Sequence, residues 1–321
     1  MAKKLLTVSV AAYNVEMYLR QALESFLIPE ALDAVEVLVI DDGGKDGSLD
    51  IAREFEKKHP GTFRAVHKEN GGYGTTVNYS IEHAAGKYFK LLDGDDWFNQ
   101  NGLRQLLRYL ARCDADVVIT NYQEVCGNSK KTIDLYAGTG RRKISEVQPK
   151  HPVGMWGITY KTEALRRSGL RLPGHCLYTD QLYSTLPFAT MEDIEFLNSI
   201  VYQYRTDRPE QSCQSSTVVR HLENWLSITR DLISFSVKQT GTPNYPFILF
   251  RVAGYHRGVV RVLLYLPTAA ERTQKIREWE MYVKQVAPDV WRAAVNNSKM
   301  GLLLHLFRMT NYLTCSLPIF S

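Results

Sequence analysis

The sequence predicts an α/β fold: a mostly parallel sheet with helices on both faces, followed by a C-terminal helical region. Three observations predict it. Short apolar, β-branched runs alternate with helix-period segments over the first 125 residues, the pattern of parallel strands joined by right-handed crossovers. Two acidic clusters directly follow two of those runs, where ligands bind in such sheets. Beyond about residue 215 the apolar period is helical. A length of 321 residues accommodates about two domains. They are placed at 1–210, with halves 1–125 and 126–210, and at 211–321.

Residues 5–12 read as a buried first strand, short and β-branched before the polar Tyr13-Asn14-Val15-Glu16. Residues 16–27 place Tyr18, Leu19, Ala22, Leu23 and Phe26 at helical spacing. A second strand at 35–40 ends at Asp41-Asp42-Gly43-Gly44, and a helix at 48–58 gathers Ile51, Ala52 and Phe55 on one face. A short strand follows at 63–67, and a helix at 75–85 after the turn Asn70-Gly71-Gly72-Tyr73-Gly74. A strand at 87–92 ends at Asp93-Gly94-Asp95-Asp96-Trp97, followed by a helix at 102–112 and a strand at 116–121. Residues 126–210 mix short strands, turns and at most two short helices. Helices are then expected at 217–238, at 246–266, from the capping signature Thr268-Ala269-Ala270-Glu271, and at 299–314.

The net charge of +5 is mild and does not indicate a nucleic-acid partner. It is unevenly placed. Residues 1–210 hold 26 basic and 28 acidic side chains, whereas 211–321 hold 13 and 6. The basic tail, with Arg251, Arg257 and Arg261, is read either as a solvated helix face or as a surface for anionic membrane or a lipid-diphosphate acceptor. Peripheral membrane contact through 246–321 is the sharper expectation, aided by Leu302-Leu303-Leu304, Phe307 and Tyr312-Leu313. The five cysteines, Cys113, Cys126, Cys176, Cys213 and Cys315, form no C-x-x-C pair. A reducing cytoplasm is therefore expected, with the inner face of the membrane as the alternative. No stretch approaches the ~18 apolar residues that span a bilayer.

Asp93-Gly94-Asp95-Asp96 is the strongest chemical signal. Adjacent carboxylates repel unless solvent or a cation relieves them, and Mg²⁺ or Mn²⁺ takes such oxygen ligands together with substrate phosphates. The cluster follows an apolar strand and precedes Trp97-Phe98, which distinguishes it from a solvated acidic turn. It lacks the dozen residues and closing Glu of an EF-hand. Asp41-Asp42-Gly43-Gly44-Lys45-Asp46-Gly47-Ser48 can accept hydrogen bonds from a base or ribose, or can be a plain turn with Asp46 or Ser48 as N-cap. Gly71-Gly72-Tyr73-Gly74 before a helix can offer backbone N–H groups to a phosphate, although it is neither G-x-G-x-x-G nor a Walker loop.

In order and spacing these segments resemble the signatures of family 2 glycosyltransferases. The resemblance runs over roughly residues 5–125, from Val8-Ser9-Val10-Ala11-Ala12-Tyr13-Asn14 through Asp41–Ser48 and Asn70-Gly71-Gly72 to Gly86–Trp97. It implies a GT-A fold, Rossmann-like, and a nucleotide-diphosphate sugar donor, UDP being the family's commonest nucleotide. It also implies a Mg²⁺ or Mn²⁺ ion and inverting transfer to a saccharide or lipid-linked acceptor in cell-surface polysaccharide or glycoconjugate synthesis. By the same resemblance Tyr13 stacks on the base and Asp42 binds its N–H. Asp93 contacts ribose or metal, Asp95 is the main metal ligand, and Ala11, Asn70, Gly71 and Gly94 complete the donor site. Downstream, Leu177-Tyr178-Thr179-Asp180-Gln181 and Val201-Tyr202-Gln203-Tyr204-Arg205 echo the family's acceptor-side segments, which makes Asp180 the candidate general base. Thr179 stands where the family has Glu, and Ala11-Ala12 where it often has Pro. With neither a Gln-x-x-Arg-Trp signature nor a membrane span, the chain does not resemble a processive synthase.

Two other classes stay open at this point. A nucleotidyltransferase would carry a Gly-rich, basic loop where this chain has Ala11-Ala12-Tyr13-Asn14. A non-catalytic nucleotide- or carbohydrate-binding module on the same fold would release no nucleotide diphosphate. The eight histidines show no metal-ligand spacing, and only His151 and His175 flank the acceptor region. Trp156 either stacks on a sugar or fills the core, and Trp97 packs beneath the acidic turn.

Overall fold

The computed structural model describes residues 4–147, 152–208, 215–296 and 298–313, with side chains from 217 in the third segment. His151, Cys213 and Cys315 lie outside the described residues. The chain divides into two compact units, Met1–Arg208 and Pro209–Ser321.

In the first unit β1 (Leu6–Ala12) is buried on both faces, with Leu6, Val8 and Val10 fully enclosed. This explains its unbroken apolar run. After α1 (Glu16–Glu24) and the short α2 (Pro29–Ala34), β2 (Val35–Asp41) pairs parallel with β1. Then α3 (Ser48–Lys58), β3 (Phe63–His67), α4 (Tyr73–His83) and β4 (Tyr88–Asp93) complete a parallel set ordered β3-β2-β1-β4. The register aligns Ala12 with Asp41 and Ala11 with Asp93, so three strand ends reach one edge together. The helix expected at 16–27 is α1, which ends at Glu24, and the sequence reading did not include α2, which Pro29 opens.

The remainder of this unit is mixed rather than mostly parallel. β5 (Trp97–Phe98), α5 (Gln100–Leu110), β6 (Val117–Cys126), β7 (Ser129–Ile133), β8 (Arg142–Lys143), β9 (Ile158–Lys161), α6 (Thr162–Arg167), α7 (Asp180–Tyr183) and β10 (Asp193–Arg205) follow. The sheet continues β4-β9-β6-β10-β5, with β9 antiparallel to both β4 and β6. The thirteen-residue β10 is longer than the short strands expected here. Its register against β6 shifts at Ile200, and Gly102 in α5 sits on that irregularity. A Cβ at Gly102 would stand 1.9 Å from the Ile200 carbonyl oxygen, so only glycine lets α5 lie this close.

Lys90 is the one lysine among the largest enclosed side chains. Its Nζ donates to the carbonyls of Trp156 (2.8 Å) and Ile158 (3.1 Å) and faces the Tyr202 ring at 6.0 Å. It thereby ties β4 to the 3₁₀ turn Met155–Gly157 that precedes β9.

The second unit is helical: α8 (Ser215–Arg220), α9 (Leu222–Lys238), α10 (Tyr245–Leu263), α11 (Ala269–Val286), α12 (Pro288–Ala293) and α13 (Lys299–Met309). Thr268 caps α11 as expected, accepting from Glu271 N. The separate α12 is absent from the sequence reading. α10 packs against α8, α9, α11, α12 and α13, and this overturns the reading of Arg251 and Arg257 as a surface. Arg251 and Arg257 are buried; Arg257 donates to the carbonyl of Ala294 at the end of α12, and only Arg261 is exposed. Deeper still, Glu280 accepts from Arg308 Nε at 2.6 Å and lies 2.7 Å from His256 Nε2. Trp279 donates its indole N–H to His256 Nδ1, which fixes the neutral imidazole with its proton on Nε2. Leu302, Leu306, Met309 and Leu313 are exposed at helical spacing. No helix of the described residues is long and apolar enough to cross a membrane.

Burial pushes the Lys90 amine from 10.5 down to about 7. Between those values the unfolded chain binds the extra proton, so stability rises with pH across that window. Wild type should therefore gain on Lys90→Met by up to ~1.4 kcal/mol per pH unit above pH 7. Urea midpoints of both proteins at pH 6, 7.5 and 9 measure this, and a constant difference contradicts it.

Candidate active site

The ends of β1, β2 and β4 form the floor of the site. Gly94 N donates to Ala11 O at 3.0 Å, and a Cβ on Gly94 would meet that same oxygen at 2.7 Å. Ala11 and Gly94 are thus held together at the strand edge. Beyond them Asn14 adopts φ 51° and accepts from Lys45 N at 2.9 Å, leaving Tyr13 half exposed at the rim. Tyr13 is free to meet a flat ligand there.

Asp42 is buried, and its carboxylate organises the glycine turn. Oδ1 accepts from Gly71 N (3.0 Å) and Lys68 Nζ (2.5 Å), and Oδ2 from Gly72 N (2.8 Å). Asn70 Nδ2 donates to the Asp42 carbonyl at 2.9 Å. This changes the reading of the turn, since the N–H groups that were to meet a phosphate are spent on Asp42. A carboxylate has about four lone-pair positions, so Oδ2 keeps capacity for a ligand N–H. Gly72, at φ +83°, takes the one conformation here that favours glycine, and its backbone abuts His175 N. His175 N in turn donates to Gly71 O at 2.7 Å, joining the glycine turn to the segment before Asp180. In the other acidic turn neither Asp46 nor Ser48 is the N-cap: Gly47 takes that position, and Asp46 Oδ1, one residue earlier, accepts from Ser48 N at 3.1 Å.

The acidic turn after β4 is secured from β10. The Tyr202 hydroxyl accepts from Asp93 N at 3.1 Å and donates to Asp96 Oδ2 at 2.6 Å. Arg205 N donates to Asp96 Oδ1 at 2.7 Å, and Arg205 Nε to Asp95 O at 2.9 Å. The Arg205 guanidinium lies over the Trp97 ring at 4.8 Å, so Trp97 packs under the turn as expected. Asp95 is paired with Arg208, Nη1 to Oδ2 at 2.9 Å. One oxygen each of Asp93, Asp95 and Asp96 lies within 4.8 Å of the others.

Their environments differ. Both Asp96 oxygens are engaged, and burial followed by the charge of Asp95 holds its carboxyl well above the usual range. Asp93 Oδ1 is buried with no hydrogen-bond partner. Burial and then the Asp95 charge push Asp93 up to about 8. An orphaned, enclosed oxygen on Asp93 beside the Asp95 carboxylate fits a hard divalent cation held by Asp93 and Asp95. Asp96 is fitted to support them instead.

Asp180 opens α7, and its charge helps raise the pKa of both Asp93 and Tyr73, so it stands within electrostatic reach of the acidic turn. The Tyr73 hydroxyl points to Met155 Sδ at 3.3 Å. Burial, then Asp93 and Asp180, raise its pKa well above the usual value. Reading the Gly-Gly-Tyr-Gly run for its glycines alone missed Tyr73. Tyr202, Arg205 and Arg208 were also missed as supports of the acidic turn, although Tyr202 and Arg205 lie in a segment already singled out. Trp156 lies against Tyr204 (centroids 4.7 Å) and Tyr122 (5.1 Å), an aromatic stack that favours the packing reading.

Residues 7–168 match the family described as Glycosyl transferase family 2, and the chain belongs to it. It is 37% identical over 210 residues to the putative glycosyltransferase EpsH of Bacillus subtilis, covering 61% of this chain and 59% of that relative. It is 26% identical over 256 residues to glycosyltransferase GlyA of Streptococcus pneumoniae, covering 75% of this chain and 35% of that one. The chain thus spans between a third and three fifths of these relatives. Its fold matches S. aureus TarS 1-349 in complex with UDP-GlcNAc, with a TM-score of 0.71 at 20% identity over 97% of this chain and 90% of that one. It also matches a Pyrobaculum calidifontis mannosyltransferase, PcManGT, in complex with GDP-Man and Mn²⁺, with a TM-score of 0.52 at 16% identity over 98% and 83%. The fold is therefore GT-A.

Tyr202→Phe removes the acceptor of Asp93 N–H and the donor to buried Asp96 while keeping the ring. It should cost about 1–3 kcal/mol of stability. Chemical denaturation measures this, and a loss below ~0.5 kcal/mol would show that the hydroxyl does not secure the turn.

Proposed function

We propose that this family 2 member moves a sugar from a nucleotide-diphosphate donor to an acceptor hydroxyl with inversion, using a divalent cation. The observation that carries it is the acidic turn at the ends of the parallel strands, where Asp93 and Asp95 bring oxygens within 4.8 Å of each other and the charge of Asp180 reaches Asp93. Support for the donor class comes from the fold neighbours, which hold UDP-GlcNAc or GDP-Man.

The residues divide the work. Tyr13, at the open rim, stacks on the base, and Asp42 Oδ2 accepts from its ring N–H. Asn70, Gly71, Ala11 and Gly94 shape the floor beneath ribose and diphosphate. Asp93 and Asp95 hold Mg²⁺ or Mn²⁺, which when bound offsets the charge that develops on the departing diphosphate. Asp180 accepts the acceptor hydroxyl's proton as that oxygen bonds to the anomeric carbon and the bond to the diphosphate oxygen breaks. One carboxylate on the face opposite the leaving group gives a single displacement and inverted configuration. UDP is the preferred donor nucleotide. The acceptor is a saccharide or lipid-linked saccharide of a cell-surface polymer, a role that accords with relatives such as the minor teichoic acid biosynthesis protein GgaB. A cytoplasmic placement accompanies this reading. The exposed stripe of α13 is the part of 246–321 suited to peripheral membrane contact, and flotation with anionic liposomes tests that contact.

Asp180→Asn should lower turnover of a nucleotide-sugar by about 10²- to 10⁴-fold, read as nucleotide diphosphate released, while donor affinity stays within a few fold. Near wild-type turnover removes Asp180 from the role of base. A nucleotide-binding module without catalysis would show binding and no release in either protein. Because Asp93 sits near 8, Mn²⁺ binding at pH 7 should expel its proton. Calorimetry in buffers of different ionisation enthalpy reads that proton, and a buffer-independent heat contradicts the assignment.

A further inference from the structure

The cation that already stands at the acidic turn belongs to the protein. Arg208 Nη1 is 2.9 Å from Asp95 Oδ2, with the Asp95 side chain largely enclosed and Arg208 more open. The Arg208 guanidinium also lies over the Tyr18 ring at 5.4 Å, and Arg205 lies over the same ring at 5.0 Å. Arg205 is bonded to the turn's backbone and to Gln21, and Arg208 is bonded to the very carboxylate that a metal would use. Beside it, Asp93 Oδ1 is buried and unpartnered, so the pocket is charged and only partly satisfied.

We infer that Arg208 is the resident counter-ion of the metal site. It neutralises Asp95 before a divalent cation binds, and it must give up that oxygen for the cation to enter. Two cations within a few ångströms repel unless an anion lies between them. The arriving diphosphate is such an anion, because it offers oxygens to the metal and to a displaced guanidinium alike. Metal and diphosphate therefore bind with positive coupling, and Arg208 is the residue through which part of that coupling passes. Coupling of this kind is reciprocal, so it is measurable from the metal side without any transfer reaction. The inference rests on the proposed metal role of Asp93 and Asp95.

The test is Mn²⁺ binding to the full chain, followed by electron paramagnetic resonance of free Mn²⁺, with and without inorganic pyrophosphate. Pyrophosphate carries no base and no sugar, so the result is independent of the donor's identity. Arg208→Ala should bind Mn²⁺ alone about tenfold more tightly than wild type, since a charge-assisted pair no longer competes. The strengthening by pyrophosphate should shrink by a similar factor. Arg208→Lys keeps the charge and should restore both values toward wild type. A matched thermal unfolding curve confirms that the variants are folded. Equal Mn²⁺ affinity in wild type and Arg208→Ala overturns the counter-ion role while leaving the metal site intact. Mn²⁺ binding by neither protein overturns the counter-ion role together with the metal reading.

Discussion

Containing the charge of three carboxylates in four residues is the constraint on which the first unit depends. A turn carrying Asp93, Asp95 and Asp96 opens unless something holds it closed, because each ionised oxygen gains by moving toward water. The Tyr202 hydroxyl holds it by accepting from Asp93 N and donating to Asp96. Arg205 completes the hold through its own N–H and its guanidinium. Both residues come from β10, more than a hundred positions away along the chain. The sheet order that brings β10 back beside β6, and the short β5 onto β10, is thus part of the chemistry of the acidic turn.

The same long-range dependence separates what was legible in the sequence from what was not. The parallel half could be read directly, because β1, β2 and β4 are buried on both faces and each carries its own apolar run and terminal signal. The acidic and glycine turns were likewise visible as turns. Their partners were not. Nothing local to Gly71 and Gly72 says that their N–H groups serve Asp42, since that pairing closes only when β2 and the turn after β3 lie side by side. The arginines of α10 show the converse failure. Spaced among apolar residues they read as a charged stripe, yet Arg251 and Arg257 are enclosed, Arg251 meeting Tyr255 and Arg257 the carbonyl end of α12. Net charge counted along a segment says nothing of where those charges point once other helices surround it.

Lys90 extends this reasoning into the core. An amine in the middle of β4 would ordinarily weaken a buried strand. Here two carbonyls of the Met155–Ile158 stretch accept from it, and a neutral amine still has the two N–H groups those carbonyls require. Burial therefore costs a proton rather than the contacts. The gain is positional: β4 carries Asp93, and the tied turn carries Met155, which meets the hydroxyl of Tyr73. A leucine at position 90 would satisfy the strand and leave both carbonyls orphaned.

The three neighbouring aspartates consequently do three kinds of work, and residue type does not decide which. Asp96 is enclosed with both oxygens satisfied, so it can only brace. Asp93 is half-buried with its Oδ1 enclosed and unsatisfied, and a buried unpaired acceptor is a standing cost that a ligand can remove. Asp95, half-buried as well, is already paired to a cation, so for it a ligand must compete. A divalent ion arriving at this turn removes a penalty at one residue and meets a competitor at the next, two positions away. Its net affinity is the small difference of those two effects, which makes the site one that a second anion can tip.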